Sequence, residues 1–392
     1  MHDHPSSSQS SAPSTLAALG FAPRFAEEFE LHATPGSLPA RVVRVDAQGC
    51  TVLAVPNGGE AVELHVHVPK RLARKRAPAV GDWAIVRTKG KGGERDGDFV
   101  VRKLLERATS LTRRAAGSSG RAQVLAANLD RVLVCSSLDR DFKLTRLERW
   151  LSLVHEGGAE PVVVLTKAGL VDEATRARRV EAAREVALGV SVIAVDRFTG
   201  VGLDALDACV LRAVEEDASS WAPTLALVGS SGVGKSTLLN YLCELAGGEG
   251  AMATGSISSA HGKGRHTTSH RELVALPERD GLRALLIDTP GLREVGLWGE
   301  GEGVDKTFAE IGALARGCRF GDCQHAGEPG CAVRAAVDEG RLEGRRLEAY
   351  RRLVDERETT ARRANEHERR RHERRFAKEV RRTIRIKRGR ED

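Results

Sequence analysis

The most explicit chemistry in this 392-residue chain lies in one run, Gly229-Ser230-Ser231-Gly232-Val233-Gly234-Lys235-Ser236-Thr237. It fits G-x-x-x-x-G-K-S. It follows a short apolar segment, 224–228, and precedes a helical pattern, the setting that this motif requires. Glycines let backbone N–H groups curl around phosphates, and the following helix N-terminus adds its positive dipole end. Lys235 is expected to reach the β and γ phosphates, and the Ser236 hydroxyl to ligate Mg²⁺. One apolar segment later, 282–287, stands Asp288-Thr289-Pro290-Gly291. Asp288 would hold Mg²⁺ through water, and the Gly291 amide would touch the γ-phosphate. Between the two motifs runs a polar, Gly-rich stretch, 262–270, in which Thr267 or Thr268 would complete the Mg²⁺ shell.

A nucleotide site also needs residues that read the base. Nothing after Asp288 offers them. Thr166-Lys167-Ala168-Gly169, at the end of an apolar run, comes before the phosphate loop, and so does the loop Asp196-Arg197-Phe198-Thr199-Gly200-Val201-Gly202. The base-reading half therefore precedes the phosphate-reading half. Hydrolysis needs a group that orients water, and Leu292, directly after Gly291, has no polar atom for it. His266 is the nearest alternative and is assigned that role, beside Lys235 as the second catalytic residue.

A third constellation is Cys318, Cys323, His325 and Cys331, gathered within 14 residues. Three thiolates and one imidazole match a closed tetrahedral Zn²⁺ site, one ion per chain, with no open position for catalysis. The other four cysteines, Cys50, Cys135, Cys209 and Cys243, lie in or near apolar segments and read as core residues.

These residues need elements to hold them. Residues 40–46, 50–55, 61–68, 81–86 and 98–105 form apolar, alternating or turn-bounded runs, which predicts five strands and a small OB-type barrel. The basic stretch Lys70, Arg71, Arg74, Lys75, Arg76 is expected to be a loop on its rim. Segments 132–135, 162–165, 192–195 and 224–228 are continuous apolar runs separated by helical patterns, one with Leu144, Leu147, Leu151 and Val154 on one face. That texture is an α/β domain with a parallel sheet. The expected division is a disordered leader over 1–38, the barrel over 39–109, a nucleotide-binding domain over 110–299, and a zinc-binding domain with a basic helix over 300–392.

Composition limits the remaining possibilities. Hydrophobic residues make up 41% and charged residues 29%, enough for packed cores and too ordered for global disorder. No apolar run suits a membrane span, no secretory leader is visible, and seven unevenly placed cysteines do not suit a disulfide scaffold. A reduced, cytoplasmic, monomeric protein is expected. Residues 361–390 hold 14 Arg/Lys against 4 Asp/Glu, a balance of +10 in a chain whose total is +7. Such an arm is suited to phosphate-rich partners.

Taken together, the permuted order, the barrel, Gln123-Val124-Leu125-Ala126-Ala127-Asn128, the phosphate loop, Arg265-His266-Thr267-Thr268, Asp288 to Gly291 and the Cys/His cluster resemble the RsgA (YjeQ) family of circularly permuted GTPases over about residues 40–355. The resemblance implies GTP/GDP binding, GTP hydrolysis stimulated by the 30S ribosomal subunit, contact with 16S rRNA and a part in late subunit maturation. It also implies a role for His266. The chain departs from the family's pattern at Gly169, where a guanine-reading Asp is expected, and more mildly at Thr166, which stands for Asn and keeps a hydroxyl that can bond locally. Weakened guanine selectivity follows unless another group, such as Asp172, takes over. An NTPase of relaxed base specificity, which Gly169 allows, and a nucleotide-binding RNA scaffold with negligible turnover are the alternative readings.

Overall fold

The computed structural model describes residues 15–46, 48–56, 59–88, 99–114, 122–213, 220–244, 271–278, 281–288 and 301–362. Contacts group the chain into two units. One comprises Met1–Leu111, Leu125–Leu144 and Gly158–Arg293; the other comprises Thr112–Val124, Thr145–Gly157 and Glu294–Asp392.

In the first unit, Leu38–Val45, Cys50–Ala54, Val62–His67, Trp83–Thr88 and Phe99–Leu104 close into a five-stranded barrel. The first strand pairs antiparallel with the second and the fourth. The second pairs antiparallel with the third, the third parallel with the fifth, and the fifth antiparallel with the fourth. This is the strand connectivity of an OB-type barrel, and closure removes every free edge. Alternate residues fill the interior, among them Val42, Val52, Val66, Val86 and Val101. The basic stretch expected as a loop is instead a short exposed helix, Lys70–Lys75. Lys, Arg, Leu and Ala all favour helix, and nothing in the run breaks one.

The expected leader over 1–38 is also corrected within its described part. Thr15–Ala18 and Pro23–His32 are helices. Phe21 and Phe25 lie 4.5 and 6.1 Å from the Trp83 ring, so aromatic burial orders a segment whose Ser- and Pro-rich start concealed it. Beside them Arg41 is almost wholly buried, its guanidinium 5.1 Å from the Trp83 ring centroid. It donates to the Gly20 and Asn128 carbonyls and the Thr224 hydroxyl. Burial pushes its pKa down to about 10, still far above neutrality, with Asp130 and Asp82 opposing the drop. This one cation therefore fastens the N-terminal helices, the barrel and the phosphate-loop strand together.

The α/β sheet has the order Ser191–Ala194, Glu160–Thr166, Arg131–Ser137, Thr224–Val228, Leu285–Asp288, all parallel, with Glu272–Ala275 antiparallel at its end. The apolar segment expected as one strand over 282–287 is two. Leu282–Arg283 pairs with Arg212–Ala213, and only Leu285–Asp288 joins the parallel sheet. The division falls at Ala284, whose carbonyl accepts from the Leu276 N–H outside either ladder. The core packs Leu133, Val162, Val164, Leu225 and Leu286 against Leu206, Val210, Leu238 and Leu242 of the flanking helices.

In the second unit, Leu144–Glu156 supplies Leu147, Leu151 and Val154 as buried residues, on the face that the sequence pattern marks. Helices Glu302–Thr307, Ala309–Ala315 and Ala332–Asp338 surround a core of Val304, Phe308, Ile311, Val333, Leu347 and Leu353. Glu148 is fully buried and accepts from Arg346 at 2.8 Å and Arg345 at 3.0 Å. Arg346 also bonds Glu310 and the Thr307 carbonyl and lies 4.2 Å over the Phe308 ring. A buried charge that lost its partner would be strongly destabilising, so this network fixes which helices meet.

Candidate nucleotide site and candidate metal centre

All five parallel strands end at the same edge, and each leads into chemistry. Ser191–Ala194 leads to Asp196, Glu160–Thr166 to Lys167, Arg131–Ser137 to Asp139, Thr224–Val228 to Gly229, and Leu285–Asp288 ends on Asp288 itself. The carboxyl edge of a parallel sheet is where α/β proteins bind ligands, because loops and helix N-termini converge there.

The phosphate loop turns through Gly229, Gly232 and Gly234, with φ of 142°, 80° and 95°. At Gly229 the requirement is twofold. Its φ excludes other residues, and a Cβ there would stand 2.3 Å from the Cys135 carbonyl oxygen. Val233 is buried and anchors the loop. Lys235 opens the helix Lys235–Glu244, and its ammonium donates to the Gly229 and Ser230 carbonyls at 2.8 and 2.6 Å. The charge is thus held within the curl of the loop. Ser231 lies in the same curl, and Ser236 and Thr237 occupy the first helical turn. Cys135 beneath the loop is buried, and desolvation raises its thiol to about 12, so it behaves as a neutral core residue.

The segment expected to read the base meets this loop directly. The Thr166 hydroxyl donates to the Val233 carbonyl, and a Cβ on Gly234 would lie 3.4 Å from that hydroxyl. Lys167 takes a left-handed backbone conformation, φ 60°, and its ammonium bonds Asp139 at 2.7 Å. The Lys167 contact, with the Asp141 N–H and Ser137 hydroxyl, outweighs burial and draws the Asp139 pKa down to about 2. Ala168 is buried, and its N–H donates to the Val195 carbonyl. The Gly169 N–H donates to Asp196 Oδ2 at 2.9 Å. Asp172, considered from the sequence as a substitute acceptor, caps the helix Glu173–Val186 by accepting from the Thr175 N–H at 2.8 Å, so it is already engaged.

The four predicted metal ligands form a cluster whose ligand atoms all lie within 4.8 Å of one another. Cys331 Sγ and Cys318 Sγ are 3.4 and 3.7 Å from His325 Nδ1, and the two sulfurs are 3.9 Å apart. A tetrahedral ion with metal–sulfur bonds of about 2.3 Å needs ligand–ligand edges of about 3.8 Å. The donor set therefore fits an ion, and no residue of the four is displaced. Glu328, which sequence reasoning missed, shapes the ligand loop. Its carboxylate accepts from the N–H groups of Gln324, Ala326 and Gly327, which draw its pKa down to about 2. Its only sequence signal is a carboxylate among glycines in a short loop. The helices around Phe308 have an apolar core that includes Cys331, with Cys318 and Cys323 packed against it, so the cluster is continuous with that core.

His266, Thr267, Thr268 and Gly291 lie outside the described residues, and the Asp288 side chain is likewise not described. The unpredicted residues at the site are Asp139 and the carboxylate of Asp196. Asp139 follows a strand end with no motif around it; Asp196 opens the loop that the sequence marks as base-contacting, but nothing in the sequence gives its carboxylate a role there.

No helix among the described residues is long and apolar enough to cross a membrane. The family model described as RsgA GTPase matches residues 104–298. The small ribosomal subunit biogenesis GTPase RsgA of Streptomyces coelicolor is 44% identical over 354 residues, covering 90% of this chain and 89% of that protein. Its counterpart in Opitutus terrae is 42% identical over 359 residues, covering 90% and 92%. Among solved structures, YjeQ from Thermotoga maritima aligns with a TM-score of 0.57 at 24% identity, covering 81% of this chain and 98% of that one. YloQ, a circularly permuted GTPase, aligns with a TM-score of 0.56 at 22% identity, covering 83% and 96%. The structural likeness shares the permuted sheet, and the sequence likeness extends through barrel, phosphate loop and Cys/His cluster alike; the chain therefore belongs to the RsgA family of circularly permuted GTPases.

Proposed function

We propose that this GTPase acts on the small ribosomal subunit, binding the 30S particle and its 16S rRNA late in maturation and turning over GTP faster when bound there. The observation that carries the reading is the join between the two halves of the nucleotide site, Thr166 against Val233, in a chain whose relatives are named for small-subunit biogenesis. In this reading Gly229 to Thr237 hold the phosphates, Thr166 to Gly169 border the base, and Ser236 and Asp288 hold Mg²⁺ with Thr267 or Thr268. Electrostatic positioning supplies most of the catalysis in phosphoryl transfer, so Lys235 and the loop amides stabilise charge on the transferred group. His266 orients the attacking water, and binding to the subunit stimulates that step. The Cys/His cluster holds one Zn²⁺ structurally, and the basic arm beyond residue 362 adds non-specific attraction to rRNA phosphates. The protein works as a cytoplasmic monomer.

The test is GTP and ATP hydrolysis by the wild-type chain and by Lys235→Ala, with and without purified 30S particles. Subunit-stimulated GTP turnover that falls at least about a thousandfold in the variant is the expected result. Equal turnover with and without subunits would refute the reading. Metal analysis of the purified chain should return one Zn²⁺.

A further inference from the structure

The base-reading segment has no side chain left to read a base. Thr166 is committed to the phosphate loop, Lys167 to Asp139, and Ala168 to the core; Gly169 has no side chain, and Asp172 caps a helix. A guanine edge presents two adjacent donors, N1–H and the N2 amino group, and needs a carboxylate to accept them. An ideal Cβ built on Gly169 lies 3.0 Å from Asp196 Oδ2 and 3.1 Å from its Cγ. The space into which a residue-169 side chain would project therefore already holds a carboxyl group, delivered from the loop after the neighbouring strand.

We propose that Asp196 supplies the guanine-reading carboxylate that Gly169 lacks, so that this chain reads its base from the loop after Ser191–Ala194 rather than from residues 166–169. The proposal rests on the chain being a guanine-nucleotide enzyme. Turn-making alone does not explain Asp196. Its Oδ1 accepts from the Phe198 and Thr199 N–H groups at 2.9 and 3.1 Å, which a serine, threonine or asparagine oxygen could also do. A second acceptor oxygen placed on residue 169 is what an aspartate adds. Oδ2 accepts from the Gly169 N–H, and the Thr199 hydroxyl also bonds this carboxylate, so a guanine donor takes the remaining position as that hydroxyl turns away. The residue is only 5% exposed. Burial would push its carboxyl up, but the N–H groups of Gly169, Thr199 and Phe198, with the Thr199 hydroxyl, together outweigh burial and hold it below the usual value, so it stays ionised at neutral pH.

The experiment measures binding of fluorescent GDP, XDP and ADP to the full chain. In xanthine the N2 amino group becomes a carbonyl, so the edge offers one donor and one acceptor. An amide side chain matches that edge and a carboxylate does not. Asp196→Asn is expected to lower GDP affinity about a hundredfold and to shift the GDP-to-XDP preference toward XDP, without a gain in absolute XDP affinity, because its amide NH2 must face either the Gly169 N–H or the Phe198 and Thr199 N–H groups. A second pair guards against simple damage to the loop. Asp196→Ser retains a turn acceptor and should lose GDP over ADP selectivity. Adding Gly169→Asp to it moves the carboxylate back, with Thr199 yielding a few tenths of an ångström, and should restore that selectivity. Equal loss of all three nucleotides in Asp196→Asn, or a double variant no more selective than Asp196→Ser, would overturn the proposal. A wild-type chain that binds neither GDP nor GTP would instead refute the guanine-nucleotide reading beneath it.

Discussion

The two halves of the nucleotide site are built by different means. The phosphate half is backbone: consecutive residues, three glycines of positive φ and a helix N-terminus. The base half is side chains: Thr166 and Asp196 from two different strand ends, and Asp139 from a third bracing Lys167. A backbone site tolerates almost no substitution, because each glycine is required by a dihedral angle or a close approach. A side-chain site can move its functional group, provided that the new residue delivers the same atom to the same place. That difference accounts for an intact G-x-x-x-x-G-K-S motif beside a base-reading segment that ends in glycine.

The contrast predicts unequal sensitivity to substitution. The largest effect should come from Gly229→Ala. Its Cβ would meet the Cys135 carbonyl at 2.3 Å, at a φ that alanine avoids. Strain of a few kcal/mol translates into roughly a hundredfold loss of nucleotide affinity, for GDP and ADP alike. Loss confined to guanine nucleotides would break the distinction between the halves. Thr166→Val is a milder cut at their joint. It removes one buried hydrogen bond, worth about 1 kcal/mol, and should weaken GTP binding about five- to tenfold while leaving the fold intact in thermal melts. No change would mean that the halves are aligned by the sheet alone.

The smallest effect concerns Asp139, whose pKa falls from 3.8 to about 2 beside Lys167. A depressed carboxylate contributes stability above its unfolded pKa and loses it as pH falls toward the folded one. The stability difference between wild type and Asp139→Asn should therefore be constant above about pH 4 and vanish between 3.8 and about 2. Because both partners are partly exposed, its size should be below about 1 kcal/mol. Denaturant melts across pH 2–7 measure it, and a difference that grows on acidification would contradict the ion pair.

The metal cluster belongs with the phosphate loop in this comparison. Its ligands fall within 14 residues, so the spacing of residue types is itself the signal. What spacing did not disclose is the loop's internal brace, Glu328, or the apolar core of Phe308, Ile311 and Val333 against which Cys318, Cys323 and Cys331 pack. The N-terminal helices were hidden for a similar reason. Phe21, Phe25 and Phe29 do recur at the four-residue spacing of a helix, but the Ser- and Pro-rich start before them draws the reading to a leader, and Trp83, far along the chain, is what buries Phe21 and Phe25.

From sequence alone come the phosphate loop, the four residues of the Cys/His cluster, the strands of the barrel and the parallel sheet, and the permuted order of the chain. All of these are local patterns, written in residue spacing or hydrophobic period. Tertiary structure alone decides that Arg41 pins the helices, barrel and phosphate-loop strand together, that Glu148 lies buried beneath two arginines, and that the Asp196 carboxylate stands over Gly169. Each of these depends on residues far apart in sequence converging through strand order. No local spacing encodes which strand ends become neighbours, so the group that fills an empty position is visible only once the sheet has been assembled.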